Sequence, residues 1–169
     1  MAWSVNNDLV KGNDMFLYLV NLGNSAMTSG MVADAKVIAY ATSCSLQVDA
    51  DTLDVTSKFS CRWNAVVPGN ASYTVSTDAL YCKKSVSDEN GTMTIDDLFD
   101  AMVEGKNVGW VMAQDKGGGC NVEGPLVDGT APYYWGEAAI TSLSIEAGNN
   151  EIVSSSISLT GSGPVNYES

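Results

Sequence analysis

Residues 14–22 read DMFLYLVNL, with apolar side chains at consecutive positions and therefore on both faces of an extended chain. Successive side chains of a strand point to opposite faces, so a strand with one wet face alternates, and a run without alternation must be covered on both sides. Residues 35–42 (AKVIAYAT) are read as a second strand in the same style, with Gly23, Asn24, Ser25 and the pair Ser29-Gly30 supplying turn chemistry between the two. Further along, alternation sets in: Leu46 and Val48 with Ser45 and Gln47, then Tyr73 and Val75 with Ser72 and Thr74. Each of these strands is expected to have one buried and one wet face. Residues 49–71 lie between them, mostly polar and too long for a hairpin turn, and are read as a long loop.

A single helix is expected. Thr94 and Asp97 resemble a capping box, Ile95, Leu98, Phe99, Met102 and Val103 recur on one helical face, and Gly105 is placed to end it. Val108, Trp110 and Met112 alternate as a strand, residues 114–132 form a Gly-rich loop, and residues 133–147 and 152–160 read as strands joined by Gly148-Asn149-Asn150. The order predicts one mainly β domain over residues 1–169, an antiparallel β-sandwich or barrel with one flanking α-helix.

The totals narrow the function. At 169 residues the chain suits one domain. Its longest apolar run, residues 15–20, is far short of the roughly 20 residues a membrane helix needs. No basic segment followed by an apolar one opens the sequence, so no export signal is read. Cys44, Cys61, Cys82 and Cys120 form no C-x-x-C pair and are expected as reduced, buried thiols. A net charge of −12 opposes sequence-specific nucleic-acid binding, which draws affinity from neutralised phosphates. Histidine is absent, which removes the commonest general base and metal ligand together.

The remaining candidates for chemistry are weak. Asp49, Asp51 and Asp54 resemble the opening of a calcium loop, but Leu53 occupies a ligand position and no Gly-then-Glu completes it. Asp96, Asp97 and Asp100 suit the first turns of a helix dipole better than catalysis. Lys116 precedes its glycines, unlike the lysine of a phosphate loop. The run Tyr133-Tyr134-Trp135 can stack on a sugar or base, and suits better a strand start seated in a core or a subunit interface.

Taken in order, several stretches resemble the major tail tube protein family of tailed bacteriophages. They are Lys36-Val37-Ile38-Ala39-Tyr40-Ala41-Thr42 with Leu46, Val48, Ala50, Thr52 and residues 54–58 (DVTSK); Trp63, a Pro68-Gly69 turn and residues 72–81 (SYTVSTDALY); residues 96–100 (DDLFD); Tyr134, Gly136, Ala138 and residues 140–144 (ITSLS); and residues 157–163 (ISLTGSG). Together they span about residues 36–163. The loop at 114–132 is longer and more glycine-rich than the pattern, and Cys82 and Cys120 depart from it, which leaves the contacts between neighbours open.

The resemblance implies a structural subunit, with no enzyme activity and no cofactor, that forms six-fold rings stacked into a hollow tube for viral DNA. Implied partners are further copies of the chain and other tail proteins (tape measure, terminator, baseplate), with DNA passing through unbound and no membrane involved. The implied location is the virion tail, assembled in the host bacterial cytoplasm. Residues 49–71 and the two termini are the candidate arms between subunits, with Thr52, Asp54, Lys58, Phe59 and Trp63 as candidate contacts, and removal of residues 52–66 is expected to abolish tubes while sparing the fold. An acidic wall would repel the phosphate backbone and let it slide. The competing readings are the tube subunit of a contractile injection or secretion apparatus and a monomeric β-sandwich binding module.

Overall fold

The computed structural model describes residues 10, 12–60, 62–81, 92–117 and 122–168. Seven strands follow in chain order: β1 (Met15–Asn21), β2 (Lys36–Val37), β3 (Ala41–Asp54), β4 (Val66–Leu80), β5 (Asn107–Gln114), β6 (Tyr133–Glu146) and β7 (Ser154–Glu168), with helix α1 (Ile95–Val103) before β5. They form one antiparallel sheet in the order β2-β1-β5-β6-β7-β4-β3. The expected mainly β architecture with one flanking helix is the one observed.

The sheet has to curl. β2 and β3 are its two edges, yet only residues 38–40 separate them in sequence. Four Cα steps reach no further than about 15 Å, so the edges approach each other and the sheet wraps around its own interior. Cys44 Sγ of β3 lies 3.7 Å from the Met15 carbonyl of β1 across that seam. This crossing also breaks residues 35–42, read above as one strand, into two. Ile38 bridges to Met93, and the chain turns at Tyr40, whose φ of 56° is left-handed.

The interior holds Leu17 and Leu19 of β1, Trp110 of β5, Ile140 of β6, Leu159 of β7 and Val75 of β4, closed over by Ile95, Leu98 and Ala101 of α1. A second cluster lies on the outer face of β1 and β5, where Tyr18, Val111 and Ala113 are covered by Leu22, Met27, Val32 and Ala35 of the β1–β2 connection. The lack of alternation in residues 14–22 therefore has a direct cause, since odd positions enter one cluster and Tyr18 the other. β5 is buried on both faces for the same reason, beyond the one-sided alternation expected of it.

α1 begins as expected. The Thr94 N–H donates to the Asp97 carboxylate at 3.2 Å and the Thr94 hydroxyl does so at 2.8 Å. It ends at Gly105 (φ 65°), and Lys106 N–H reaches back to the Ala101 carbonyl at 3.0 Å, a Schellman closure. The buried stripe differs from the expected one. Ile95, Leu98 and Ala101 face the core, while Phe99, Met102 and Val103 face outward, because the helix crosses the sheet on its i, i+3, i+6 line.

Residues 49–71 are not a loop. β3 and β4 continue through them as a paired hairpin, with Asp49 opposite Ser72, Leu53 opposite Val67 and Asp54 opposite Val66, leaving only residues 55–65 as the connection. Polar composition misled here because, among the described residues, this part of the ladder joins neither core cluster, so neither face needs apolar residues. Pro68 and Gly69 accordingly lie within β4 beside a bulge, not in a turn, and Gly69 gives room to Asp51, whose Cβ would be 3.3 Å from an added methyl. β7 likewise runs to Glu168, past the expected end at 160, and of its preceding turn only Asn150 takes positive φ, at 63°.

The connection after β5 is organised by Asp115, a buried carboxylate. It accepts hydrogen bonds from the Tyr18 hydroxyl (2.9 Å) and from the backbone N–H groups of Gly117 (2.8 Å), Glu123 (3.0 Å) and Gly124 (3.0 Å). Burial, then Asp115, pushes the Tyr18 phenol far above its ordinary range.

Candidate functional site

Residues 55–65 join β3 to β4 at the far end of the hairpin. The Val55 N–H donates to the Ala65 carbonyl (2.9 Å), Ala65 N–H to the Thr56 hydroxyl (3.0 Å), and Trp63 N–H to the Ser60 carbonyl (3.2 Å), so the tip holds its own shape. Thr56 also donates to Asp54 (2.8 Å from its N–H), and its hydrogen bonds hold that carboxyl below the usual range. Of the expected contact residues, Thr52 and Asp54 are exposed on distal β3 and Lys58 is exposed in the short helical turn Lys58–Ser60. Trp63 is 82% exposed. The side chain of Phe59 lies outside what the structure describes, as do Cys61, Cys82, Cys120 and residues 1–9.

Apolar residues around the tip add to this surface. Leu53, Val55, Val66 and Val67 are all exposed, although nothing in a polar stretch with no expected structure marked them as a patch. Leu53 and Val67 are cross-strand neighbours on one face, and exposed apolar residues grouped on a projecting element suit a contact surface. β3 is an edge strand over its 14 residues, and among the described residues its outer side pairs with nothing. Long exposed edges invite pairing with another chain.

A third surface is polar. The outward residues of β3, β4, β7 and β6 align in rows of hydroxyls: Ser45 opposite Ser76, Ser76 opposite Ser158, and Ser158 opposite Ser142. Ser45 and Ser76 share a hydrogen bond of 2.7 Å, and Asp78 accepts from Ser156 (2.6 Å) and Ser43 (2.8 Å), which keep its carboxyl below the usual range. None of the eight Lys and Arg residues lies on these four strands.

The candidates for other chemistry resolve into structural roles. Asp49, Asp51 and Asp54 are strung along β3 instead of wrapping a loop, and among the described residues no cluster of His, Cys, Asp or Glu is placed to hold a metal. Asp97 caps α1 and Asp96 accepts from the Tyr81 hydroxyl at 3.1 Å. Tyr133 is buried in the outer cluster, with its hydroxyl on Glu168, whose hydrogen bond pushes the phenol up to about 12. Tyr134 packs on Tyr167 with ring centres 5.2 Å apart. These aromatics seat the start of β6 instead of presenting a stacking platform. A hollow of about 720 Å³ is an open trough at the β1–β3 seam lined by residues such as Met15, Leu17, Ala41 and Met112.

An open edge strand, and a hairpin whose far end supplies no described residue to either core cluster, are features of a β-structured assembly subunit. The chain belongs to the phage tail tube protein family, whose model matches residues 9–167. It is therefore a structural subunit of a phage tail tube. Among solved structures, the fold is similar to a chain in the virion of the native gene transfer agent particle (15% identity, 95% of this chain and 100% of that one, TM-score 0.65). It is also similar to the SPP1 tail tube (15% identity, 95% and 79%, TM-score 0.66). A chain of the six-fold symmetrised anti-feeding prophage baseplate shares the fold more loosely (9% identity, 94% of each, TM-score 0.54). No curated protein matches the sequence significantly.

Proposed function

We propose that copies of this chain close into six-fold rings that stack into a hollow tail tube, through which DNA passes without specific binding. The observation that carries this is the hairpin: an ordered, apolar-tipped projection that the chain's own core leaves uncovered. In this reading the outer edge of β3 pairs laterally with a neighbouring sheet, and the hairpin, with Thr52, Asp54, Lys58, Phe59 and Trp63, reaches another copy. The tail of the empty gene transfer agent particle was refined with C6 symmetry, which supports six-fold packing for this fold. Residues 1–169 act as one tail-tube domain without catalysis or cofactor. Partners are further copies, tape measure, terminator and baseplate proteins, and assembly takes place in the host bacterial cytoplasm before the subunit resides in the virion tail.

The cation-free hydroxyl face of β3, β4, β6 and β7 is suited to the channel wall, because a surface that engages phosphates through Lys or Arg holds DNA by many contacts at once. Replacing Ser45, Ser76 and Ser158 by lysine is expected to leave tubes of normal width and to slow DNA ejection severalfold, most at low salt. Unchanged ejection at low salt contradicts this placement. The tube reading itself is tested by negative-stain electron microscopy of the purified protein across a concentration series. Hollow filaments of uniform width are expected, and particles that stay monomeric throughout overturn the reading in favour of a binding module.

A further inference from the structure

β6 is longer than the strand beside it. It pairs with β5 only as far as Ala139, so among the described residues its last stretch, 140–146, pairs on one side alone, with β7. The ribbon β3-β4-β7-β6 thus ends in a bare backbone edge at β6 as well as at β3. Bare edges offer unpaired N–H and C=O groups, and charge, proline or short length discourages their pairing. Most free edges of this sheet are guarded in that way. Distal β3 carries Asp49, Asp51 and Asp54, the part of β4 that leaves β7 carries Pro68, the end of β7 carries Pro164, and β2 is two residues long with Lys36 as one of them. The start of β1 faces β3 of its own chain across the seam. Residues 45–48 (SLQV) and 142–145 (SLSI) carry no charge and no proline. They also match face for face. Ser45 and Ser142 stand in one outward row of hydroxyls, while Leu46 and Leu143 pack against the same core cluster from the other face. Val48 and Ile145 continue that core face at the two edges, yet they are 56% and 50% exposed.

We propose that residues 45–48 of β3 in one copy pair antiparallel with residues 142–145 of β6 in the next, forming the lateral joint of the ring. The inference rests on the tube reading above and names the strand that receives the β3 edge. Strand direction agrees with it. β3 and β6 are joined through three successive antiparallel ladders, so they run in opposite directions. A six-fold step that leaves strands side by side turns about an axis near the strand direction, and such a turn preserves each strand's sense. β3 therefore meets the next β6 antiparallel. Directly opposed residues of an antiparallel pair share a face, so the pairing that continues the hydroxyl face also brings Leu46 and Val48 beside Leu143 and Ile145. Pairing β3 with β3, or β6 with β6, is isologous: it closes after two copies and generates no six-fold ring.

Hydrogen exchange of the wild-type monomer and tube, resolved by residue, tests the joint without altering the chain. The outward N–H groups within both 45–48 and 142–145 are expected to exchange more slowly by about tenfold or more on assembly. Protection at β3 without protection at β6 overturns β6 as the receiving strand. Tubes carrying Gln47→p-benzoylphenylalanine, grown from mixed ¹⁵N-labelled and unlabelled copies, give the position. Within one chain β3 and β6 are three strand spacings apart, about 14 Å. Irradiation is expected to link residue 47 of one copy to residues 142–145 of a copy with the other label, read by mass spectrometry of the digested product. Links confined to other segments overturn the joint. Wild-type protein that forms no tubes overturns the tube reading, whereas tubes whose protection and links lie elsewhere overturn only the β3–β6 joint.

Discussion

Replacing residues 55–65 by an Asn-Gly turn is expected to abolish tube growth and leave a folded monomer. Asp54 and Val66 are a cross-strand pair, so two residues close the shortened hairpin in register, and Asn-Gly suits the type I′ turn whose twist matches the flanking strands. The change removes Lys58, Phe59, Arg62 and Trp63 but, among the described residues, no member of either core cluster. Trp63, 82% exposed, contributes little burial to the isolated chain, so the melting temperature should move by no more than about 3 °C. Tube growth, in contrast, loses the contact proposed for the hairpin altogether. Size-exclusion chromatography, thermal melting and electron microscopy of the variant check the three parts separately. Tubes that still grow would show that the hairpin is not the arm, and a variant that fails to fold would show that the tip supports the monomer.

How much of this surface the sequence disclosed depends on what each residue packs against. The two-faced apolar run at 14–22 and the capping box at Thr94 and Asp97 were legible, because burial and local hydrogen bonding write themselves into neighbouring positions. The hairpin was not: beyond Val48 its strands touch no core, so polar residues satisfy both faces and the pattern is that of a loop. The candidate contact residues were placed there because the connection looked too long for its domain and carried two large aromatics, Phe59 and Trp63, among polar residues. On α1, Phe99, Met102 and Val103 lie at helical spacing just as a core stripe would, and only the crossing with the sheet shows that Ile95, Leu98 and Ala101 face inward. Asp115 had a local signal, an Asp before glycines, but its partner Tyr18 is 97 positions away. The serines of the outward hydroxyl face alternate along four separate strands, and their rows exist only once the register is set.

Gly161→Ala is expected to lower the melting temperature by about 4–10 °C, the consequence of about 2–3 kcal/mol of overpacking. An added Cβ would fall on Cδ1, Cε1 and Cζ of Tyr73, well under 3.0 Å from each. Tyr73 has nowhere to go. Its hydroxyl donates to the Glu137 carbonyl and accepts from Trp110 Nε1 at 3.3 Å, and its ring lies 5.5 Å from that of Trp110. Gly136 on β6 encloses it from the other side, where a Cβ would meet the hydroxyl oxygen at 2.9 Å. Two glycines on neighbouring strands thus make the space for one aromatic of β4, and the substitution acts through sterics, since the sheet itself accepts alanine. The Tyr73→Ala background isolates that cause: with the ring gone, Gly161→Ala should cost less than about 0.5 kcal/mol, a coupling of the size seen between residues in direct contact. Denaturant melts of the two single variants and the double variant measure it. Additive costs would place the strain in the backbone of β7 and remove Tyr73 from the explanation.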